Sequence, residues 1–135
     1  MDIRSINHAV IEQFRAGGAV EGMQRERLLL LTTTGRRSGE PRTSPMMFHP
    51  DGDRLLVIAS NMGATQHPAW YLNLVADPGV TVEVGDEEYR GRAETTSGAD
   101  RERVWAELKR AYPFFADHEE KAGEREIPVV ALVRA

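Results

Sequence analysis

Leu28-Leu29-Leu30-Leu31-Thr32-Thr33-Thr34-Gly35-Arg36-Arg37-Ser38-Gly39-Glu40-Pro41-Arg42 is the stretch on which the reading of this chain turns. The four leucines are too short a run for a helix and are apolar on both faces. β-Branched threonines extend them, so together they predict a central strand buried on either side. Gly35 and Gly39 then bound a turn carrying Arg36 and Arg37, with Arg42 just beyond it. Glycines let a backbone approach a ligand closely, successive N–H groups form an anion-binding concavity, and guanidinium forks suit phosphate or carboxylate. The turn therefore reads as an anion cradle. A nucleoside-triphosphate loop would need Gly-Lys-Ser/Thr opening a helix, whereas this loop runs into another strand, which sets that class aside.

Outward from the turn, Met46, Met47 and Phe48 lie on the next strand. His49-Pro50-Asp51-Gly52-Asp53-Arg54 is a hairpin signal ahead of a strand over 55–59, giving three antiparallel strands. Pro68 opens a short helix carrying Trp70, Tyr71, Leu74 and Val75, which Asp77-Pro78-Gly79 ends. Val80, Val82 and Val84 alternate with polar residues and turn at Gly85-Asp86 into a strand with Tyr89, Gly91 and Ala93, a second hairpin. Ser97-Gly98-Ala99-Asp100 matches a capping box for a helix ending near residue 111, before Pro113. Residues 127–133 read as a last strand. Towards the N-terminus, Ile3, Ile6, Val10, Ile11 and Phe14 recur at helical spacing until Gly17-Gly18, predicting an amphipathic helix over 3–16. Its stripe is expected to pack on the domain's own core, with a membrane surface or partner as the alternative. About six strands paired as hairpins, with helices between them, imply one α+β domain, residues 1–135, whose antiparallel sheet curves towards a small barrel. Within it, the N-terminal helix region (1–18) precedes the core (27–135).

At 135 residues the chain is long enough to bury about two thirds of the surface its unfolded form exposes. With 17 basic against 21 acidic residues and a net charge of −4, it lacks the electrostatic footprint of a nucleic-acid binder. Anion binding must then be local to the turn. There is no cysteine, which excludes disulfides, thiol nucleophiles and cysteine metal sites. Secretory-leader and membrane-span patterns are missing, so the expected location is cytoplasmic, with peripheral contact at the inner face of the membrane left to the first helix. The four histidines, at 8, 49, 67 and 118, show no zinc-site spacing, and no Gly-x-Ser-x-Gly elbow anchors a hydrolase triad.

Two further segments read as parts of a ligand slot. Ser60-Asn61-Met62-Gly63-Ala64 follows a strand end with small and polar residues, so its N–H groups suit the edge carbonyls of a heteroaromatic ring, with Trp70 walling one side. Ala111-Tyr112-Pro113-Phe114-Phe115-Ala116-Asp117-His118 is aromatic and follows a helix end, which suits a lid over an apolar pocket as well as ordinary core packing.

Taken in order, residues 28–39, Pro41-Arg42, Pro45, Ala59-Ser60, Gly63, the Pro-x-Trp-Tyr-x-Asn-Leu run at 68–74, Asp77-Pro78, Tyr112-Pro113 and Ile127-Pro128-Val129-Val130 resemble the deazaflavin-dependent nitroreductase family. The resemblance spans 28–133. It implies a split antiparallel β-barrel, coenzyme F420 (an 8-hydroxy-5-deazaflavin) as cofactor, and hydride delivery to a small-molecule acceptor such as a quinone, enone or nitroaromatic. It implies that Arg36, Arg37, Ser38 and Arg42 receive the cofactor's anionic tail. Pro45, Met47, Ala59, Ser60, Asn61, Met62, Gly63, Ala69 and Trp70 would then surround its ring. Tyr112 is the candidate catalytic proton donor, and Phe115 and His118 are assigned to the substrate pocket. Those two stand where prodrug-reducing members carry further tyrosines, and Phe115 has no proton to give, which favours quinone or enone reduction over nitroimidazole activation. An FMN enzyme of related barrel fold and a non-catalytic F420 carrier are the alternatives.

Overall fold

The computed structural model describes residues 3–17, 20 and 25–135, with residues 3–6 described by their backbone alone. Helix α1 (Ile3–Arg15) leads into β1 (Leu28–Thr34), β2 (Pro41–Met47), β3 (His49–Asp51) and β4 (Arg54–Ile58). Then follow α2 (Ala69–Ala76), β5 (Gly79–Val84), β6 (Glu87–Thr95), α3 (Gly98–Ala111), α4 (Phe114–Ala122) and β7 (Val129–Arg134). All strands pair antiparallel in one sheet of order β2-β1-β5-β6-β7-β4-β3.

The two edges of that sheet belong to one stretch of chain. β2 and β3 are separated only by Phe48, whose N–H donates to the Arg27 carbonyl at 3.0 Å. The sheet therefore curls until a single bent strand supplies both ends, a barrel split at the bend. The expected three-stranded arrangement over 28–59 is corrected here. β2 pairs with β1, and only residues 49–51 beyond the bend pair with β4.

Alternation along the strands distributes three packed regions. Leu29, Leu31, Val57, Val80, Val82, Val130 and Leu132 fill the barrel interior. Leu28 and Leu30, on the other face of β1, meet Val10 and Phe14 of α1 and Val20. Leu56, Val129 and Ala131 face outward under α3 and α4, where Val104, Trp105, Leu108 and Phe115 cover them. The leucine run is thus apolar on both faces because it has a barrel inside and a helix outside. The apolar stripe of α1 packs on its own sheet through Val10 and Phe14, and Arg15 ties the helix to Glu83 of β5 with bonds of 3.0 and 2.9 Å. Gly17, at φ +84°, follows the helix. The expected stop at Gly18 and the side chains of Ile3 and Ile6 lie outside what is described.

Two further local expectations are corrected. Neither half of the expected box forms: Ser97 precedes α3 without a side-chain hydrogen bond, and the Asp100 carboxylate is held by Arg54 at 2.7 and 3.1 Å. The segment after residue 113 is a helix, α4, whose Phe115 and Ala122 pack in the same cluster as α3.

Candidate functional site

The arginine turn is closed at its base by two backbone bonds, Gly35 N–H to Glu40 O and Gly39 N–H to Gly35 O, both 2.8 Å. Gly35 is buried, and a Cβ there would stand 2.7 Å from Ser38 Oγ and 3.1 Å from Glu40 O. A side chain would fill the space the turn encloses. Gly39, at φ +73°, takes the left-handed conformation that reverses the chain. Ser38 Oγ accepts from the Glu40 N–H at 3.1 Å, so its oxygen fixes the turn as well as facing the groove beside it.

That groove, about 790 Å³, has Arg36, Arg37, Ser38 and Arg42 on one side and Ala69 and Trp70 of α2 on another. Its volume lies in the range of small-molecule and cofactor sites. Asn7, His8 and Ile11 of α1 supply a further wall, a contribution for which the amphipathic pattern gave no signal. No carboxylate lines the groove among the described residues. Glu40, outside the lining, approaches Arg42 only to 4.0 Å. An acidic protein that keeps its carboxylates out of a three-arginine groove presents a local positive field suited to an anion. The N-terminal end of α2 opens onto the same space and adds the positive end of its dipole.

Asn73, on α2, joins the helix to the turn. Its Oδ1 accepts from the Arg36 N–H at 3.1 Å and from Arg36 Nη1 at 3.3 Å, and its Nδ2 donates to Thr33 Oγ1 at 3.2 Å. Sequence reasoning quoted this residue in the helix motif without giving it a role; the available signal was a polar side chain on an otherwise apolar helix.

Strand alternation extends the site along β2. Met46 packs into the barrel interior, so Thr43, Pro45 and Met47 share the outer face. Thr43 lines the groove, and Met47 packs with Ile58 and Tyr112 at the α3–α4 cluster. The stripe from Thr43 to Met47 thus runs about 13 Å from the arginines towards Tyr112. Pro45 and Met47 lie outside the groove lining and follow Thr43 on the same face of the strand.

The strand-end loop 59–63 is set apart from the groove and stands against α4. Asn61 and Met62 adopt left-handed φ values of 49° and 55°, a region asparagine visits readily and one that costs Met62 about 1–3 kcal/mol. Gly63, at φ +80°, lies so close to α4 that a Cβ would stand 3.0 Å from the His118 carbonyl. Arg125 holds the loop from behind, donating to Ala59 O at 3.0 Å, Ala64 O at 2.9 Å and Ser60 O. Its Nη1 also meets His67 Nδ1 at 2.9 Å. Burial and the neighbouring guanidinium hold the His67 imidazole below its ordinary range, which leaves Nδ1 free to accept that bond at neutral pH. Arg125 sits in the charged stretch before the last strand, and sequence reasoning gave it no role.

At the aromatic segment, Tyr112 is half-buried and shares a hydrogen bond of 3.1 Å with His49 Nδ1. Phe115 is 3% exposed and packs against Trp105, so its ring belongs to the core under α4. His118 meets Phe114 and Phe115 edge-on, at centroid distances of 5.4 and 5.9 Å, with Nδ1 buried and without a hydrogen-bond partner.

The family model described as F420H(2)-dependent quinone reductase matches residues 5–134. The chain belongs to the F420H(2)-dependent quinone reductase family. A Mycobacterium tuberculosis protein named F420H(2)-dependent quinone reductase is 34% identical to it over 108 residues, covering 78% of this chain and 72% of that protein. Among solved structures, one described as an F420-H2 dependent reductase superposes with a TM-score of 0.71 at 34% identity, covering 82% of this chain and 99% of the other. Another, described as a domain-swapped dimer, gives 0.73 at 33% identity and covers 90% and 92%. The split-barrel fold, the F420 cofactor and the oxidoreductase class expected from the motifs all stand on this membership. The groove fits the cofactor on its own terms: an anionic tail would meet three arginines with no carboxylate in the lining to compete for them.

Proposed function

We propose that this F420H(2)-dependent quinone reductase family member reduces a quinone-type acceptor on the outer face of β2, between the arginine groove and Tyr112. When bound, the reduced deazaflavin supplies the hydride. The protein supplies binding, orientation and a proton. Arg36, Arg37, Ser38 and Arg42 hold the anionic tail; Ala69 and Trp70 wall the groove; Pro45 and Met47 form the floor on which a flat ring lies. The loop 59–63, clamped by Arg125, stands apart from the groove, and with the Ala59 and Gly63 N–H groups already bonded to Pro128 O and Ser60 O, any bond to the ring edge would come from residues 60–62. Tyr112, at the far end of the stripe, gives its hydroxyl proton to the acceptor oxygen as that oxygen gains charge. The observation that carries this reading is the carboxylate-free arginine groove, with Thr43 in its lining and, on the same face of β2, Pro45 and then Met47, which packs with the half-buried Tyr112.

A fluorescence titration with F420, with FMN in parallel, followed by mixing of the reduced complex with menadione, tests it. Saturable, F420-selective binding with menadione-dependent oxidation is expected. Binding without oxidation would make the protein a carrier, and preference for FMN would overturn the cofactor's fit to the groove. Tyr112→Phe should slow turnover on the order of 100-fold while leaving F420 affinity intact; wild-type turnover removes the proton-donor role.

A further inference from the structure

His49 occupies a position that neither the cofactor groove nor the fold requires to be a histidine. Its Nδ1 lies 3.1 Å from the Tyr112 hydroxyl and its Nε2 3.3 Å from Glu107 Oε1. The His49 and Tyr112 rings meet at 89° with centroids 5.6 Å apart. The imidazole is shielded, with its side chain 15% exposed, whereas the Glu107 side chain is 40% exposed. A row of exchangeable groups therefore runs from a half-buried hydroxyl to a carboxylate in water. Arg103 Nη1, 3.6 Å from Glu107 Oε2, steadies the outer end.

We infer that His49, held in orientation by Glu107, is a proton relay that reloads Tyr112 during turnover. This rests on the proposed role of Tyr112 as proton donor, and both residues act through that tyrosine. Histidine is the side chain whose ordinary titration spans neutral pH, and a carboxylate on one ring nitrogen fixes which nitrogen serves the other partner. Charged neighbours leave Glu107 as the carboxylate that meets the ring. On β3, Asp51 is bonded to Arg54 and Arg103. On β4, Arg54 is shared between Asp51 and Asp100. On α4, His118 turns to Phe114 and Phe115.

The balance is simple. A quinone that takes up two electrons as a hydride is left with an oxyanion. Tyr112 gives that oxygen its hydroxyl proton, and the phenolate oxygen takes the Nδ1 proton of the His49 imidazolium. The neutral ring keeps its Nε2 proton on Glu107 and becomes the imidazolium again when Nδ1 takes a proton from water, so Glu107 orients the ring and stays outside the proton's path. One O–H bond forms on the acceptor for each proton drawn from water.

The test compares wild type with His49→Asn, Glu107→Gln and Tyr112→Phe in menadione reduction between about pH 5 and pH 9. Nitrogen-15 NMR of the cofactor-free protein reads which His49 nitrogen bears the proton. Asparagine retains a donor at the Nδ1 position but cannot carry a proton through. His49→Asn is therefore expected to turn over about 10-fold more slowly at neutral pH, with a pH profile that departs from the wild type's, and to bind F420 as wild type does. Glu107→Gln, a change at a part-exposed side chain, should shift the same profile and stands in should the His49 variant fold poorly. The neutral His49 ring is expected to carry its proton on Nε2. A wild-type rate and profile in both relay variants, or a neutral ring protonated on Nδ1, overturns the relay. Wild-type turnover in Tyr112→Phe removes the proton donor and the relay with it; slow turnover there beside unaltered relay variants removes the relay alone.

Discussion

Asn73 and Arg36 are joined twice, the Asn73 Oδ1 accepting from the Arg36 backbone N–H at 3.1 Å and from its Nη1 at 3.3 Å. The pair locks α2 to the arginine turn, so the wall carrying Trp70 and the turn carrying the cationic receivers keep one fixed spacing. Asn73 is 5% exposed, and its removal leaves the buried Thr33 hydroxyl and the Arg36 N–H without this partner. Asn73→Ala should cost about 1–3 kcal/mol of stability and weaken F420 binding as the turn loosens. Urea denaturation and cofactor titration check both; an unchanged affinity would mean that the turn holds its shape without the helix.

Arg36 and Arg37 face the groove with no acidic residue of its lining to neutralise them. Replacing both with glutamate should raise the F420 Kd by at least about 10-fold to 100-fold, the worth of one charge-assisted hydrogen bond or more. Added salt should weaken wild-type binding and spare the variant. The shorter FMN tail needs fewer cationic partners and should lose less. Equal losses for the two ligands would place the anionic tail elsewhere.

Local burial patterns were the legible part of the fold. The leucine run and the Val80, Val82, Val84 alternation each announce which faces are covered, because the period of a strand is two residues. The bend at Phe48 was not legible. It depends on pairing the two halves of one run with strands at opposite ends of the sheet. α4 was hidden because it has only two buried residues, Phe115 and Ala122, in a stretch otherwise rich in charge. The arginines of the groove and Trp70 could be read from their motifs. Asn73, Arg125 and His49 could not be assigned roles, since each works through partners far along the chain: 37, 65 and 63 residues away in the bonds to Arg36, Ser60 and Tyr112. Asp100 shows the converse, a local capping signal whose carboxylate is held by the distant Arg54.

Asp51 and Asp100 carry a pH dependence of stability. The hydrogen bond from Arg103, followed by that from Arg54, holds the Asp51 carboxyl below the usual carboxylate range. The bond from Arg54 does the same for Asp100. A carboxyl depressed in the folded state stabilises it fully above the unfolded value, near pH 4, and that contribution is lost as pH falls through the lower folded value. Melting temperature should therefore hold steady above about pH 5 and decline below about pH 4. Asp51→Asn should cost about 1 kcal/mol at neutral pH and flatten that acid decline. Thermal melts across the acid range decide it, and an equally steep decline in the variant would assign it to other carboxylates.

Gly63 and Gly52 separate backbone strain from contact. Both adopt positive φ, at +80° and +63°, so alanine is strained at either. Around Gly52 nothing lies within 4 Å of a built Cβ, whereas at Gly63 it would meet the His118 carbonyl and Lys121 Cβ at 3.0 Å. Gly52→Ala should therefore cost about 1 kcal/mol, the strain alone. Gly63→Ala should cost about 1–2 kcal/mol more, because the backbone of α4 must move away from the loop. That helix begins two residues after Tyr112, so the displacement should also slow menadione reduction, while Gly52→Ala leaves the rate unchanged. Equal stability losses with unchanged rates in both variants would show that α4 yields to the added methyl, and that the position of Tyr112 does not depend on this contact.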